Sequence, residues 1–190
     1  HEADKAEPSR HPHATLMPKY VIKDIDLYQG DTYTESFRME KYDQALGTFV
    51  PRDLTGLRMD MHVKSRVSQS AVPVITASTT TGEITLNNLM PEVADVAALP
   101  ADNSEYAWYR VMDVGHIYVW HETDQQFVYW KDYDGPILSF VEIKIKNDQT
   151  RLPRGGQYVH DVQIIDGDDV DTWRIGNVLV DGEVTDVRPV

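Results

Sequence analysis

The residues best suited to chemistry are seven histidines and 31 acidic residues, set against 18 Lys and Arg. Three groupings of them have spacings worth weighing. His11 and His13, two apart, can chelate a cation, but the segment around them carries Pro8, Pro12 and Pro18 and offers no third ligand. His116 and His121 flank a stretch containing Glu122 and Asp124, a combination able to bind metal or move protons. A solvated polar hairpin tip is the expected reading. Asp166, Asp168, Asp169 and Asp171 surround Gly167 and faintly resemble a calcium loop. The twelve-residue spacing with its terminal bidentate Glu is absent, so a charged turn is the expected reading. No phosphate-cradling Gly-rich loop and no G-x-S-x-G elbow occurs, and cysteine is absent. These observations predict no catalytic residue, no bound metal and no cofactor.

The elements that would position these groups are read from periodicity. Residues 1–19 form a polar, proline-interrupted stretch and are expected to be an extended arm. Leu57, Met59, Met61 and Val63 alternate with Arg58, Asp60, His62 and Lys64, a period of two that predicts a strand with one buried face. Val141, Ile143 and Ile145 alternate with Glu142 and Lys144 in the same way. Further strands are expected over Tyr20 to Leu27, Thr32 to Met39, Val72 to Ala77, Ile84 to Leu86 and Tyr106 to Val111. Gly47 to Pro51 reads as a turn, and Met90 to Leu99 as one short helix with Pro91 in its first turn. His116 to Trp120 and Phe127 to Trp130 read as an aromatic hairpin. Late strands are expected at Tyr158 to Ile164, at Trp173 to Ile175 and from Asn177.

Short strands separated by turns predict an all-β fold, an antiparallel β-sandwich of the Ig-like kind. One sandwich domain over 20–190 is expected, interrupted by an insertion at 87–136 that carries the aromatic β-hairpin and the short helix. The net charge of −13 disfavours nucleic acid as a partner, because phosphate binding needs clustered Lys and Arg. No apolar run approaches the roughly 20 residues of a membrane helix. No signal-peptide pattern opens the chain, and a start at His1 suggests that more sequence lies upstream. The lack of cysteine suits a reducing cytoplasm.

Aromatic residues crowd the insertion. Tyr106, Trp108, Tyr109, Tyr118, Trp120, Phe127, Tyr129 and Trp130, with Tyr133, fall within residues 106–133. Two uses compete: a compact satellite core, or a protein interface, since Tyr and Trp dominate binding hot spots. A mixture is expected, with alternate rings turned inward and the rest meeting a partner protein. Stacking on a host glycan is the alternative.

The order of short motifs resembles a known family. Gly30-Asp31-Thr32, then Asp53-Leu54-Thr55-Gly56 ahead of the alternating strand, then Gly156-Gln157-Tyr158-Val159-His160-Asp161-Val162-Gln163, then Gly176 and Glu183-Val184-Thr185 form that order. It is similar to the small β-sandwich domain of tailed-bacteriophage structural proteins, including the N-terminal domain of siphophage upper-baseplate proteins. The likeness covers roughly 20–86 and 137–188. Gly115-His116-Ile117-Tyr118-Val119-Trp120 with Trp130 resembles hairpins of tail-fibre and collar proteins. The resemblance implies a non-enzymatic virion component, assembled in the host cytoplasm. Its partners would be identical copies and tail, neck or capsid proteins. Head decoration or a head fibre, and a carbohydrate-binding receptor module, are the alternatives. Each motif also has a plain structural role. Gly30 and Gly56 supply positive φ, Asp31 and Asp53 fix turns, and Tyr158 buries its ring.

Overall fold

A computed structural model describes residues 21–66, 72–153 and 156–181. The described residues begin with β1 (Val21–Ile22), β2 (Ile25–Tyr28), β3 (Tyr33–Arg38), β4 (Glu40–Asp43) and β5 (Thr48–Pro51). It continues through β6 (Arg58–Ser65), β7 (Ile75–Ser78), β8 (Ile84–Asn87), β9 (Glu92–Val93) and β10 (Trp108–Val111). Last come β11 (His116–His121), β12 (Gln126–Asp132), β13 (Phe140–Ile145), β14 (Tyr158–Asp166) and β15 (Asp169–Asp181). The fold is all-β, as the alternation predicts.

Two sheets form the sandwich. The main sheet runs β1-β15-β14-β6-β7, with β2 following β1 along β15; the opposing sheet runs β3-β13-β8. Inward residues of both sheets make one core. Met59, Met61 and Val63 of β6 face Val141, Ile143 and Ile145 of β13, and all six are fully buried. Burying each such side chain contributes about 1.5–3 kcal/mol before entropy is counted.

The structure corrects four local expectations. Pairing is not wholly antiparallel: β1 and β2 run parallel to β15, and β9 runs parallel to β10. Parallel neighbours need a long crossover, and the chain between its first and last strands provides one. Gly47 to Pro51 is more than a turn, because β5 pairs with β4 in a hairpin closed by Gly47 at φ 69°. Asp43 Oδ1 accepts the Ala45 and Leu46 amides there, at 2.9 and 3.2 Å. The helix expected over Met90 to Leu99 is β9 plus one 3-10 turn at Val96–Ala98, capped by Asp95. So short a helix, with no buried face, has little to hold it, whereas strand pairing lets Pro91 O and Val93 O accept the Arg110 and Met112 amides. Finally, Trp173, Ile175 and Asn177 lie on one strand, β15, rather than two; an irregularity beside Trp173 lets it bend.

One polar cluster sits inside this apolar frame. Arg174 on β15, 1% exposed, makes a bidentate pair with Glu35 on β3, at 2.8 and 2.7 Å. The bridge therefore joins the two sheets. Lys23 Nζ and Tyr33 Oη also donate to the Glu35 carboxylate, at 2.5 and 2.7 Å. The Arg174 guanidinium lies 5.3 Å from the Phe37 ring and 5.8 Å from that of Trp173; those two rings stack at 4.7 Å. Burial opposes the charge on Glu35, but its hydrogen bonds to Arg174, Lys23 and Tyr33 win and hold its pKa at about 2.

Two outcomes follow from the cluster and its surroundings. Glu35→Ala leaves Arg174 charged and unpaired, so it is expected to lower unfolding free energy by about 3–5 kcal/mol in urea titration. Because the folded pKa is depressed, the stabilisation from Glu35 is complete above about pH 4.5 and is lost as pH falls from there towards 2. Glu35→Gln should flatten that part of the acid-denaturation curve.

Candidate interaction surface

The aromatic residues assemble on a third sheet, ordered β12-β11-β10-β9. The hairpin β11–β12 is present as its sequence predicts, with Tyr118 opposite Tyr129, Val119 opposite Val128 and Trp120 opposite Phe127. A register shift next to Ile117 and Tyr118 leaves Trp130 as the extra residue on β12. This sheet is not a free satellite. On one face, Trp108 and Val119, with Val128 and Trp130 beside them, pack against Val50 and Leu46 of the β4–β5 hairpin. Thr48 Oγ1 donates to Trp120 O at 2.9 Å, and His121 Nε2 donates to Leu46 O at 2.9 Å. Arg38, at the end of β3, lies over the rings of Tyr106 and Trp108 at 4.5 and 5.6 Å.

The other face carries a chain of edge-to-face ring contacts. Tyr106 meets Tyr109 at 5.9 Å, Tyr109 meets Phe127 at 5.3 Å and Phe127 meets Trp120 at 5.2 Å. Farther along, Tyr129 meets His116 at 4.9 Å and Tyr118 at 6.3 Å. The expected division into inward and outward rings by strand alternation is not what the structure shows. Trp108 and Tyr109 are adjacent and both buried, at 2% and 5% exposed, because each face of the sheet is covered there. Trp120 is also 5% exposed, and its Nε1 has no partner among the described residues. Tyr106, Tyr118, Phe127 and Trp130 are half-buried. Only Tyr129, of the eight candidates, is well exposed, at 47%. A second exposed aromatic pair, Tyr42 with Phe49 at 5.4 Å, lies on the β4–β5 hairpin, both about half exposed. It was invisible while Gly47 to Pro51 read as a turn.

Several of the groups weighed for chemistry have partners close by. His116 Nε2 lies 3.1 Å from Asp132. His121 donates through Nε2, which leaves Nδ1 to accept the Asp124 amide at 3.2 Å. Glu122 accepts from Asn103. In the acidic turn, Asp166 pairs with Asp169 across Gly167 at φ 58°, and Asp171 lies 3.6 Å from Arg52. Among the described residues no three His, Asp or Glu side chains converge on a metal site. His11 and His13 lie outside the described residues.

A shallow depression of about 370 Å3 opens on the outer face of the main sheet, over Ile22, Val159 and Ile175. Its charges are mutually satisfied: Asp161 pairs with His62 and Lys64, at 3.0 and 3.2 Å, and Asn177 bridges Asp24 and Arg66. Beneath that sheet lies the cluster of Lys23, Glu35, His160 and Arg174, which was not anticipated. Its signal was parity. Glu35 shares a face with Tyr33 and Phe37, and His160 shares one with Tyr158 and Val162.

No family model matches the chain, and no curated protein matches it.

Burial separates the aromatic residues by role. Trp120→Ala is expected to cost about 3–5 kcal/mol in chemical denaturation, while Tyr129→Ala stays within about 1 kcal/mol of the parent.

Proposed function

We propose that the chain is a structural, non-enzymatic component of a tailed-bacteriophage virion, acting through protein–protein interfaces. The observation that carries this reading is a two-sheet sandwich whose β4–β5 hairpin shares a second core with an aromatic sheet, with exposed rings left on the outside. A surface on such a support loses little conformational entropy when a partner docks. Of the motifs that resemble baseplate domains, Gly30 and Gly56 take positive φ at turns and Gly176 admits a close backbone approach, while Glu183-Val184-Thr185 lie outside the described residues. Asp53 Oδ1 accepts from Thr55 N, Thr55 Oγ1 and Leu138 N, so this one turn also holds the chain as it returns after the aromatic sheet. The most displaced carboxylate among the described residues, Glu35, accepts four hydrogen bonds, two on each oxygen, from Arg174, Lys23 and Tyr33, which leaves no lone pair free for proton transfer. A tail, baseplate or neck position follows from the family resemblance; head decoration is the variant reading.

Tyr129 is the residue that favours a second reading. An exposed ring flanked by Tyr118 and His116 is a platform on which a sugar can stack.

One pair of measurements separates the two. Cross-linking of purified particles should join the chain to identified virion proteins at a fixed copy number, and Tyr129→Ala with Phe49→Ala should lower incorporation several-fold at unchanged stability. Saturable binding of host surface glycans, lost in Tyr129→Ala while incorporation stays at the parent level, would replace the structural reading with the carbohydrate one.

A further inference from the structure

Among the described residues the first strand, β1, and Lys23 just after it meet β15 and β14 through a short set of contacts, and a buried histidine makes one of them. His160 is 2% exposed on β14. Its Nε2 lies 2.8 Å from Lys23 O. A carbonyl can only accept, so Nε2 carries the hydrogen, and Nδ1 is the bare, accepting nitrogen. That Nδ1 is buried and has no partner among the described residues. A proton placed on it would have no acceptor and would sit near the fixed charge of Arg174.

Next to this contact the Lys23 amide donates to Ile175 O at 3.0 Å, the Lys23 ammonium to Glu35 at 2.5 Å and the Asn177 amide to Asp24 at 2.7 Å. β1 pairs with β15 over two residues only, Val21 with Arg174 and Ile22 with Ile175. Ile22 is 73% exposed and adds almost no apolar burial. Just beyond, β2 differs, since its Ile25 and Leu27 are in the core. Between them, Lys23 O presses on Gly176 so closely that any Cβ there would overlap it. The local fold has therefore been shaped to admit this one carbonyl to the imidazole.

We propose that His160 is an acid-sensitive catch for β1 and the Lys23 that follows it: proton uptake by the imidazole releases them from β15 while the sandwich behind stays folded.

The charged groups around the imidazole set the pH range. Burial disfavours the imidazolium most strongly and Arg174 on β15 adds to that, while the bond to Lys23 O, Glu35 on β3 and Asp161 on β14 oppose; the net result is a lowered pKa. On the β1–β2 lead-in, Asp24 is ionised and bonded to Asn177, with its own pKa lowered by those bonds. Glu35 titrates only near 2. His62 and Lys64 of β6 lie on the opposite face of the main sheet, paired with Asp161. A released His160 titrates near its ordinary value of about 6.5, so the closed form is fully favoured above that pH. It weakens by up to about tenfold per pH unit as pH falls from there to the folded pKa. This inference does not depend on the virion reading.

Amide exchange followed by NMR tests it on the whole chain. After correction for the intrinsic pH dependence of exchange, the Lys23 amide, which donates to Ile175 O, should exchange several-fold faster at pH 5 than at pH 7. Amides of β3 and β13 should keep their protection. His160→Gln, which retains a donor for Lys23 O but cannot be protonated, should abolish the difference. A flat Lys23 profile, an equal rise in His160→Gln, or a rise shared by β3 and β13 would each overturn the proposal. If His160→Gln does not fold, the wild-type imidazole resonance decides. A midpoint below 6.5 that coincides with the β1 change supports the catch, and one at or above 6.5 sinks it.

Discussion

A guanidinium held between two sheets is the constraint on which the sandwich turns. Arg174 is as buried as the Met and Ile side chains around it, and a charge in that setting is tolerable only if paired and hydrogen-bonded. Its single carboxylate partner stands on the other sheet, so the main and opposing sheets cannot slide past one another without breaking two bonds at once. The aromatic stack of Phe37 on Trp173 continues the same joint and covers the guanidinium from the side. Trp173 can reach that position because β15 departs from regular pairing beside it. Such a bridge is a weak source of net stability compared with an apolar replacement, but it penalises every wrong alignment of the sheets.

The same place joins the first described strands to the last. Lys23 contributes its ammonium to Glu35 and its carbonyl to His160, and the absence of a side chain at Gly176 is what lets that carbonyl approach. Ion pair, imidazole and glycine therefore act as one unit, and each is intelligible only in the presence of the others. A glycine here answers a steric demand rather than a conformational one: Gly176 is not among the positive-φ glycines, whereas Gly30, Gly56 and Gly167 are.

The sandwich core was readable because strand alternation repeats over β6 and β13, and parity assigned Met59, Met61, Val63, Val141, Ile143 and Ile145 to the interior. The aromatic hairpin was readable for a similar reason. Parity also marked Glu35 and His160 as inward, yet nothing local says which partner crosses 139 residues to meet Glu35. Long-range pairing of single charges has no period. The β4–β5 hairpin was missed because its four-residue strands are polar on one side, and the burial of Thr48 and Val50 depends on a sheet formed some 60 residues later. The short helix failed for the converse reason: Pro91 and the apolar run were suggestive, but no face of that segment is buried, and β10 offered backbone partners instead. In each miss a tertiary contact overrode local preference.

Those tertiary contacts also change what the aromatic residues can be. A ring assigned to an interface on composition alone must still be out of the core, and burial removes Trp108, Tyr109 and Trp120 from that role. They act indirectly. By filling the space between the aromatic sheet and the β4–β5 hairpin, or by meeting Phe127 edge-on, they fix where Tyr129 and the Tyr42–Phe49 pair stand. Arg38 then ties this assembly to β3, two positions from Ser36 and three from the Glu35 that anchors the two main sheets. In this sheet the value of a buried aromatic lies in packing, and the number of well-exposed rings is far smaller than the number in the sequence.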